Sequence, residues 1–562
     1  MQAHPITSFE NARVRTEDSG VDRQQQAPAA EIAFWTLLTI YLIYAVVFVV
    51  KASFVIDGTR FYSLFDDAMI SMQYAKNMVM GHGLVWNPGG AAVEGFSNPL
   101  WVLWMAFWHT LPIAEAKISL CIQITGLALC LACLVLVRRI AASISGGNPW
   151  VWLPAVTLTA TYLPFHFWAL RGMETPLIAF LILLAVSKLC EEKGSAGWSF
   201  YLALGAGLLV RVDFVVAYGG LVLYLLSAQR LDWRKTLFRA FAVFIMVLGA
   251  ATCFRYFYYG EFLPNTYYLK MWGIPWGPRV HRGALMAAAF VWNMSLIVFV
   301  LPFAYLLLRP RMKRVWLLAG LFVLHLLYSI HVGGDAWEWW GHGANRFIVV
   351  VMPLFFILTA LTLTWTFDHL LELVKWNWSP GKAGLLLVAL ILVVVQLHGG
   401  RHGVLLQDLL HARGPHIEDD EAQVRYALKL SEITTPRASI AVAWGGAIPY
   451  FSLRPVVDVL GKNDAHIART RPVVRSYRDI EPGHNKFDFA YSIGQLAPDV
   501  VAHSYHVEDD LYLSRDYQAF AITDGRIAGE YNPACYLRVG SPHIRWDVVH
   551  EADWLSSSRP LP

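Results

Sequence analysis

Asp66 and Asp67 stand side by side at the head of DDAMISMQYAKNMVMGHGLVWNPGGAAVEGFSNPLW, a polar stretch running to Trp101 beside strongly apolar segments. Ionised groups at a membrane face are costly unless they pair or work. Neighbouring residues on a helix point about 100° apart, so one carboxylate can cap or bind while the other faces a cleft. A carboxylate in a cleft is suited to taking a proton from a substrate hydroxyl. A plainer role competes with that one. Ser63-x-x-Asp66 fits a capping box, in which Asp66 only completes a helix N-terminus. His82, in a Gly-His-Gly turn, reads as a ligand or as a polar loop residue. Glu94 reads as a substrate ligand or an interfacial residue, and Asn98 suits the N-cap of the apolar run after it.

Two cations answer these acids. Lys270, in YYGEFLPNTYYLKM, suits a phosphate as a point charge. Arg346, closing HVGGDAWEWWGHGANR, can grip a phosphate bidentately or snorkel to lipid headgroups. The same loop holds Asp335, Glu338 and His342. Arg171 and Glu174 open an apolar run in RGMETP, where Glu174 or Thr175 also suits the helix start. Arg211 and Asp213 interrupt another apolar run, but an i,i+2 pair does not share a helical face. Asp464, His466 and His484 are candidate ligands near the C-terminus, yet their spacing matches no closed zinc pattern, so no metal site is assigned. There is no P-loop, GxSxG, HExxH or dinucleotide fingerprint. Nucleotide-driven transport and soluble-type hydrolysis lose weight accordingly.

The elements that position these residues must be mostly membrane helices. Of 562 residues 56% are hydrophobic and only 15% charged, against roughly 25% charged in soluble domains. Mean hydropathy is +0.44. Twenty-three tryptophans and twenty-four tyrosines suit two aromatic membrane interfaces. The net charge of +4 gives no reason to expect a nucleic-acid partner. Five of the six cysteines lie in apolar runs and read as small hydrophobes, not as a disulfide framework.

A spanning helix needs about 20 apolar residues, which gives about eleven candidates. They are 32–52, 117–137, 150–168, 175–190, 197–211, 213–228, 237–257, 284–308, 315–330, 346–366 and 382–397. Arg138–Arg139, Arg230–Lys235, Arg309–Arg314 and Lys375–Lys382 then fall on one side with Arg13, Arg15 and Arg23, the positive inside. The first outer loop 53–116, the loops 258–283 and 331–345, and everything after 398 fall on the other face. Leu100–Leu111 is too short to cross and reads as an interfacial or re-entrant helix. The division expected is a disordered tail over 1–31 before an uncleaved anchor, a transmembrane domain over 32–397, and an outer domain over 398–562. In that outer domain ASIAVAW, PVVDVL, DVVAHS and CYLRVG alternate with turn residues, as in an α/β or α+β fold.

Asp66-Asp67-Ala68-x-Ile70-Ser71, Gly81-His82-Gly83-Leu84-Val85-x-Asn87-Pro88-Gly89 and Val93-Glu94-Gly95-Phe96-Ser97-Asn98-x-Leu100-Trp101 together resemble the first outer loop of GT-C superfamily glycosyltransferases that use polyprenyl-phosphate sugars. Among these, the motifs are similar to those of the terminal β-arabinofuranosyltransferases of mycobacterial cell-wall arabinan. Gly172-Met173-Glu174-Thr175, Pro264-Asn265-Thr266-Tyr267-Tyr268-x-Lys270, Gly333-Gly334-Asp335 with Arg346-Phe347, and Leu460-Gly461-x-x-Asp464-x-His466 with Gly483-His484-x-Lys486 follow in the same order. The resemblance covers most of the chain beyond the tail. The commoner form of the family carries GYTNFLW where this chain has GFSNPLW, a loss of one tyrosine hydroxyl.

The resemblance implies a polytopic α-helical GT-C-like fold and a site on the outer face of the bacterial plasma (inner) membrane. The donor it implies is a polyprenyl-phosphate sugar, and the acceptor a cell-envelope glycan, lipid or protein. The catalytic carboxylate matches Asp66, with Asp67 assisting or holding the helix. Lys270 and Arg346, with Arg171 or Arg211, would neutralise the leaving phosphate. Glu94, His82, Asn98, Glu174, Asp335, Asp464, His466 and His484 complete the expected substrate-binding set. No cofactor is required, although Asp66, Asp67 and Glu94 are compatible with a divalent cation. The competing classes are a polyprenyl-lipid or polysaccharide transporter, with broken helices and mid-bilayer charges, and a non-catalytic envelope-assembly protein.

Overall fold

The computed structural model describes residues 7–191, 196–228, 233–294, 296–308, 312–338, 345–373, 379–398, 403–411, 413–503, 511–528 and 534–557. His342 lies outside them. The chain is a multi-pass membrane protein of mostly helical build with a sheet-containing C-terminal domain. Among the described residues five helices are long and apolar enough to cross a membrane: Pro28–Ala52, Glu115–Ser145, Trp233–Tyr259, Lys313–Val332 and Met352–Leu373. Counting each of two bent pairs as one span brings the total to seven, short of the eleven expected.

The shortfall has local causes. The expected span 150–168 breaks at Tyr162, whose backbone turns extended (φ −79°, ψ 94°) between helices Pro149–Thr161 and Leu163–Leu170. Pro164 withholds the N–H that would continue the first helix. Leu163–Leu170 then meets Thr175–Glu191 at 119°. That corner is Arg171–Glu174, turned by Gly172 at φ 85°, where a Cβ would strike Leu64 Cδ1 at 2.7 Å. The bend carries Arg171 and Glu174 out of a helix and toward the first outer loop. Helices Trp198–Val210 and Val215–Ala228 are short because the chain leaves the helix at Arg211 (φ −162°, ψ 136°). At the N-terminus, the stretch expected to be a disordered tail is helical from Thr7, continuous with the first span. Extending an existing helix is far easier than nucleating a new one.

The first outer loop opens with a hairpin, β1 (Phe54–Ile56) and β2 (Thr59–Phe61), turned by Asp57 and Gly58, both at positive φ. Asp-Gly is the residue pair such a two-residue turn favours. Helix Asp66–Val79 follows, buried from Ala68 through Asn77 because other elements cover it on every side. Helix Pro99–His109 has 11 residues, too few to cross a bilayer.

The C-terminal domain carries a six-stranded sheet in the order β4-β3-β5-β7-β6-β8. These strands are β3 (Ile440–Val442), β4 (Val456–Asp458), β5 (Val500–Val501), β6 (Tyr517–Ile522), β7 (Ala534–Arg538) and β8 (Leu555–Ser557). The β4-β3-β5 part is parallel and the rest antiparallel. The four expected β-rich runs supply β3, β4, β5 and β7. Buried polar groups fasten this domain to the outer loops. Asn87 Nδ2 donates to Val456 O at 2.7 Å, and Asn87 Oδ1 accepts from Val456 N at 2.9 Å. Lys486 Nζ donates to the carbonyls of Tyr268, Trp272 and Ala468, each at 2.8 Å.

Candidate active site

Helix Asp66–Val79 begins where the outer domain presses on the first loop, so its two leading acids face different partners. Asp67 is held by two cations. Arg346 Nη1 donates to its Oδ2 at 2.6 Å, and Lys462 Nζ to its Oδ1 at 2.5 Å. Burial pushes Asp67 up, but Lys462 and Arg346 outweigh it and keep the carboxyl well below the usual carboxylate range. Asp66 has no cation in contact among the described residues. Its Oδ1 accepts from Gly446 N at 2.8 Å, and burial, reinforced by the charge of Asp67, pushes it up to about 7. Two adjacent carboxyls are thus driven apart, one fixed as an anion and one poised near neutrality. Such a split is what assigns acid–base roles within a pair. The Ser63 capping box does not form, since Phe65 is the N-cap and no side chain caps the helix.

Arg346 starts a short helix, Arg346–Val349, capped by Asn345, whose Oδ1 accepts from Phe347 N at 2.9 Å. Asp335 clamps its guanidinium in a fork: Nε to Oδ2 at 2.8 Å and Nη2 to Oδ1 at 2.7 Å. The face of Trp168 lies 5.1 Å away. Arg346 therefore bridges two acids and cannot snorkel. Lys270, at the end of helix Asn265–Lys270, lies in the same cleft with no hydrogen-bond or ion-pair partner among the described residues. Burial, then Arg346, push its ammonium down to about 8 against the pull of Asp67. Lys270, Arg346 and Lys462 meet Asp66, Asp67 and Asp458 in this cleft, with Asp335 behind Arg346, and of the three cations Lys270 is the one without an ion-pair partner among the described residues.

These groups line a narrow cleft of about 50 Å³ with Asp66, Trp337, Trp444 and His484. Lys270, Arg346, Lys462 and Asp67 also line a neighbouring cleft of about 70 Å³ with Ser71, Asn98 and Glu174. Asn98 Nδ2 donates to Glu174 Oε2 at 2.9 Å, and Arg211 Nη1 to Glu174 Oε1 at 2.8 Å. Arg211 also forks onto Asp213, Nε to Oδ1 at 2.6 Å and Nη2 to Oδ2 at 2.7 Å. The i,i+2 argument against that pair fails because the backbone is extended there, not helical.

Other expected ligands sit elsewhere. Glu94 is buried with both oxygens on Arg255, so it ties the loop to helix Trp233–Tyr259 and stays out of the cleft. Asp66, Asp67 and Glu94 are therefore not brought together as cation ligands, and no group of three His, Cys, Asp or Glu side chains is so arranged among the described residues. His82 is exposed in its turn. Asp464 caps helix Ala465–Ala468, accepting from Ile467 N at 2.9 Å. His466 is half-turned to solvent, 3.0 Å from Asp488 and tilted against the ring of Tyr491. Arg171 faces a different, larger cleft beside Asp66.

Sequence reasoning missed Lys462, although a signal exists. Asp458 accepts from the N–H groups of Leu460, Gly461 and Asn463 at 3.0, 2.9 and 2.7 Å. An Asp followed by Gly-Lys-Asn after a β-run is turn chemistry, and the turn presents Lys462 to Asp67. Gly446 was missed for a different reason, since only its contact with Asp66 gives it meaning. A Cβ there would lie 2.3 Å from Asp66 O and 2.5 Å from Oδ1. Gly446→Ala is expected to cost about 1–3 kcal/mol through overpacking, read as a lower unfolding temperature in detergent. An unchanged temperature would mean the loop moves away freely.

Residues 414–541 match a family model described as a domain of unknown function (DUF8728). Over 339 residues the chain is 26% identical to the terminal beta-(1->2)-arabinofuranosyltransferase of Mycobacterium tuberculosis, covering 52% of this chain and 51% of that protein. It is 30% identical over 339 residues to the terminal beta-(1->2)-arabinofuranosyltransferase of Corynebacterium glutamicum, covering 52% and 46%. The chain thus aligns with about half the length of these curated relatives. The crystal structure of ArnT from Cupriavidus metallidurans in the apo state superposes over 89% of this chain and 97% of its own, with a TM-score of 0.54 at 14% identity. ArnT bound to undecaprenyl phosphate covers 90% and 98%, with a TM-score of 0.54 at 13% identity. The resemblance read from the first outer loop is therefore matched by sequence relatives and by a shared fold.

Proposed function

We propose that this protein is a membrane glycosyltransferase that moves a sugar from a polyprenyl-phosphate donor to an acceptor hydroxyl on the outer face of the bacterial inner membrane. The observation that carries the reading is the meeting of a poised carboxyl, Asp66, with a cleft in which Lys270 has no ion-pair partner among the described residues. A phosphodiester donor brings one negative charge, which that lysine can meet. The names of the sequence relatives favour arabinofuranose as the sugar.

In this mechanism Lys270, Arg346 and Lys462 hold the donor phosphate outside the bilayer while the lipid tail stays within it. Asp66 takes the proton of the acceptor hydroxyl as that oxygen bonds to the anomeric carbon. The bond from the anomeric carbon to the phosphate oxygen breaks, and its electron pair leaves with the phosphate. The cations stabilise charge that grows on the phosphate as the bond breaks, so they favour the transition state over the bound donor. Asp67 stays ionised and sets the positions of Arg346 and Lys462. No step needs a metal or cofactor.

The test is transfer by purified protein from a panel of labelled polyprenyl-phosphate sugars, including the arabinofuranose. No transfer from any member would overturn the reading. The pH profile of kcat/KM for the donor supplies a sharper check, because it reports the free enzyme. Asp66 must be ionised, so the rate climbs as pH rises through about 7. Lys270 must be charged, so the rate falls as pH passes about 8. Lys270→Arg keeps the charge at high pH and is expected to remove the alkaline limb. A limb that stays in place would exclude Lys270 as its source.

A further inference from the structure

We infer that Lys76, buried toward the far end of the helix that Asp66 begins, is a positioning residue for that acid: it grips helix Ala447–Ser452 and so holds the Gly446 N–H against the Asp66 carboxyl. This rests on the reading of Asp66 as the base and adds to it the group that keeps the base in place.

Helix Ala447–Ser452 has six residues, far fewer than a helix needs to persist alone, so its ends must be held from outside. At the front, Gly446 N donates to Asp66 Oδ1 at 2.8 Å. Toward the back, Lys76 Nζ donates to Tyr450 O at 2.9 Å and lies 4.6 Å from the centre of the Tyr450 ring. Carbonyls of a last helical turn have no partner within the helix, and a lysine is well suited to supply one. Ser452 O is met inside the outer domain, by Ser431 Oγ at 3.0 Å, whereas Tyr450 O is held from the first outer loop. Helical side chains lean toward the N-terminus, so Lys76 reaches back along its own helix to make this contact. The two helices thus meet at Asp66 and again at Lys76.

The side chain of Lys76 is 3% exposed, and a buried ammonium is costly unless it is paired. Burial pushes it down, and Glu115, 2.9 Å from Nζ, works against that. Glu115 opens the spanning helix Glu115–Ser145, so Lys76 joins the outer domain to the head of a span. Tyr450 is fixed through its hydroxyl as well. His109 ends helix Pro99–His109, with Nδ1 2.8 Å from Met105 O and Nε2 3.0 Å from the Tyr450 hydroxyl. The Met105 carbonyl can only accept, so Nδ1 donates to it and the neutral ring takes the Tyr450 O–H at Nε2. Glu115 and His109 are the titratable groups that face Lys76 and Tyr450 at this junction.

Gly446 lies between two anchorages. Before it, His503 Nδ1 accepts from Ala443 N at 3.1 Å, and Trp86 Nε1 donates to Gly445 O at 3.3 Å. After it comes the short helix that Lys76 holds. Asp67, Asp458 and Asp420 are the acids that face Asp66, and Lys462 the cation. Against burial and those acids, the Gly446 N–H favours the ionised carboxyl, because a hydrogen bond to the charged form stabilises that form. Loosening the helix lengthens this bond and makes Asp66 harder to ionise. The sign is fixed: without Lys76 the acid limb of the pH profile moves up.

The experiment uses the full-length protein in nanodiscs and follows kcat/KM for the labelled donor across the pH range. Lys76→Met keeps an unbranched chain of similar length but loses the cation and its N–H. Glu115 is 41% exposed, so the substitution strands no buried acid. The acid limb should move up by about one pH unit, the worth of one hydrogen bond to a charged group, so that transfer falls about tenfold at pH 6 and by less as pH rises. Lys76→Gln, too short to reach Tyr450 O, should move the limb the same way. Tyr450→Phe loosens the same junction by removing only the hydroxyl bond to His109, and should leave the limb in place. An unmoved limb in either Lys76 variant, or an equal move in Tyr450→Phe, would overturn the inference. Infrared titration of the carboxyl band that Asp66→Asn removes follows the same proton with no donor present, and separates the two readings. A midpoint raised by Lys76→Met in a protein that transfers no sugar would sink the glycosyltransferase reading and leave Lys76 in its role. Transfer with an unmoved midpoint would do the opposite.

Discussion

Asp66→Asn is expected to lower transfer by about 10³-fold, within the 10²–10⁴ range for a positioned acid–base group, while donor affinity stays within threefold. The amide keeps the size of the side chain and can still accept from Gly446 N, so the helix start is preserved. What it loses is the capacity to take a proton. Asp67→Asn should behave differently, because that carboxylate is bonded to Arg346 and Lys462 and works by holding them. It should weaken donor binding and shift the acid limb of the pH profile downward, since the charge of Asp67 helps push Asp66 up to about 7. Steady-state kinetics of both variants, with donor affinity measured separately, decides the matter. Full transfer by Asp66→Asn would remove it as the base. An unmoved acid limb in Asp67→Asn would mean that the limb belongs to another group.

The part of this site that was legible in the sequence consists of residues next to strong local signals. Asp66 and Asp67 stand out because acids beside apolar runs are rare, Arg346 because it begins such a run, and Lys270 because it is a cation in an aromatic outer loop. The β-rich runs around Ile440, Val456, Val500 and Cys535 were visible by composition alone. What was hidden depends on contacts between distant segments. Glu94 is next to the site in sequence, yet Arg255, 161 residues away, turns it into a strut. Arg211 and Asp213 looked incompatible only because the helix was assumed to continue through them. Asp420 lies in an ordinary amphipathic helix, Pro415–Ile433, and gains meaning from Arg171 across the domain boundary. Among the described residues five to seven of the eleven expected spans are long and apolar enough to cross, for a related reason. Apolar composition marks a buried segment, but the corner at Arg171–Glu174 decides whether that segment crosses or turns back.

Lys270 and Arg346 each place one positive charge beside the proposed phosphate, yet their removal should differ in kind. Lys270→Gln takes away a cation with no ion-pair partner among the described residues, so the fold loses little. A charge-assisted hydrogen bond is worth about 1.5–3 kcal/mol, which is about 10- to 150-fold in donor affinity at about 1.4 kcal/mol per factor of ten. Arg346→Gln removes a guanidinium that bridges Asp335 and Asp67 inside the protein. Breaking a buried pair leaves uncompensated charge and costs about 3–5 kcal/mol of stability. Arg346 also holds the carboxyl of Asp335 below its ordinary range. Without it burial dominates, and the acid should take up a proton on folding, so the variant should lose more stability at pH 8 than at pH 5. The sign follows from linkage: a group whose folded pKa is raised stabilises below its unfolded value and loses that contribution as pH rises. Donor affinity measured beside unfolding temperature at both pH values separates the two roles. Equal stability of the two variants would mean that the bridge between Asp335 and Asp67 carries no structural weight. Unchanged donor affinity in Lys270→Gln would remove that lysine from the phosphate site, leaving Arg346 and Lys462 to hold the donor alone.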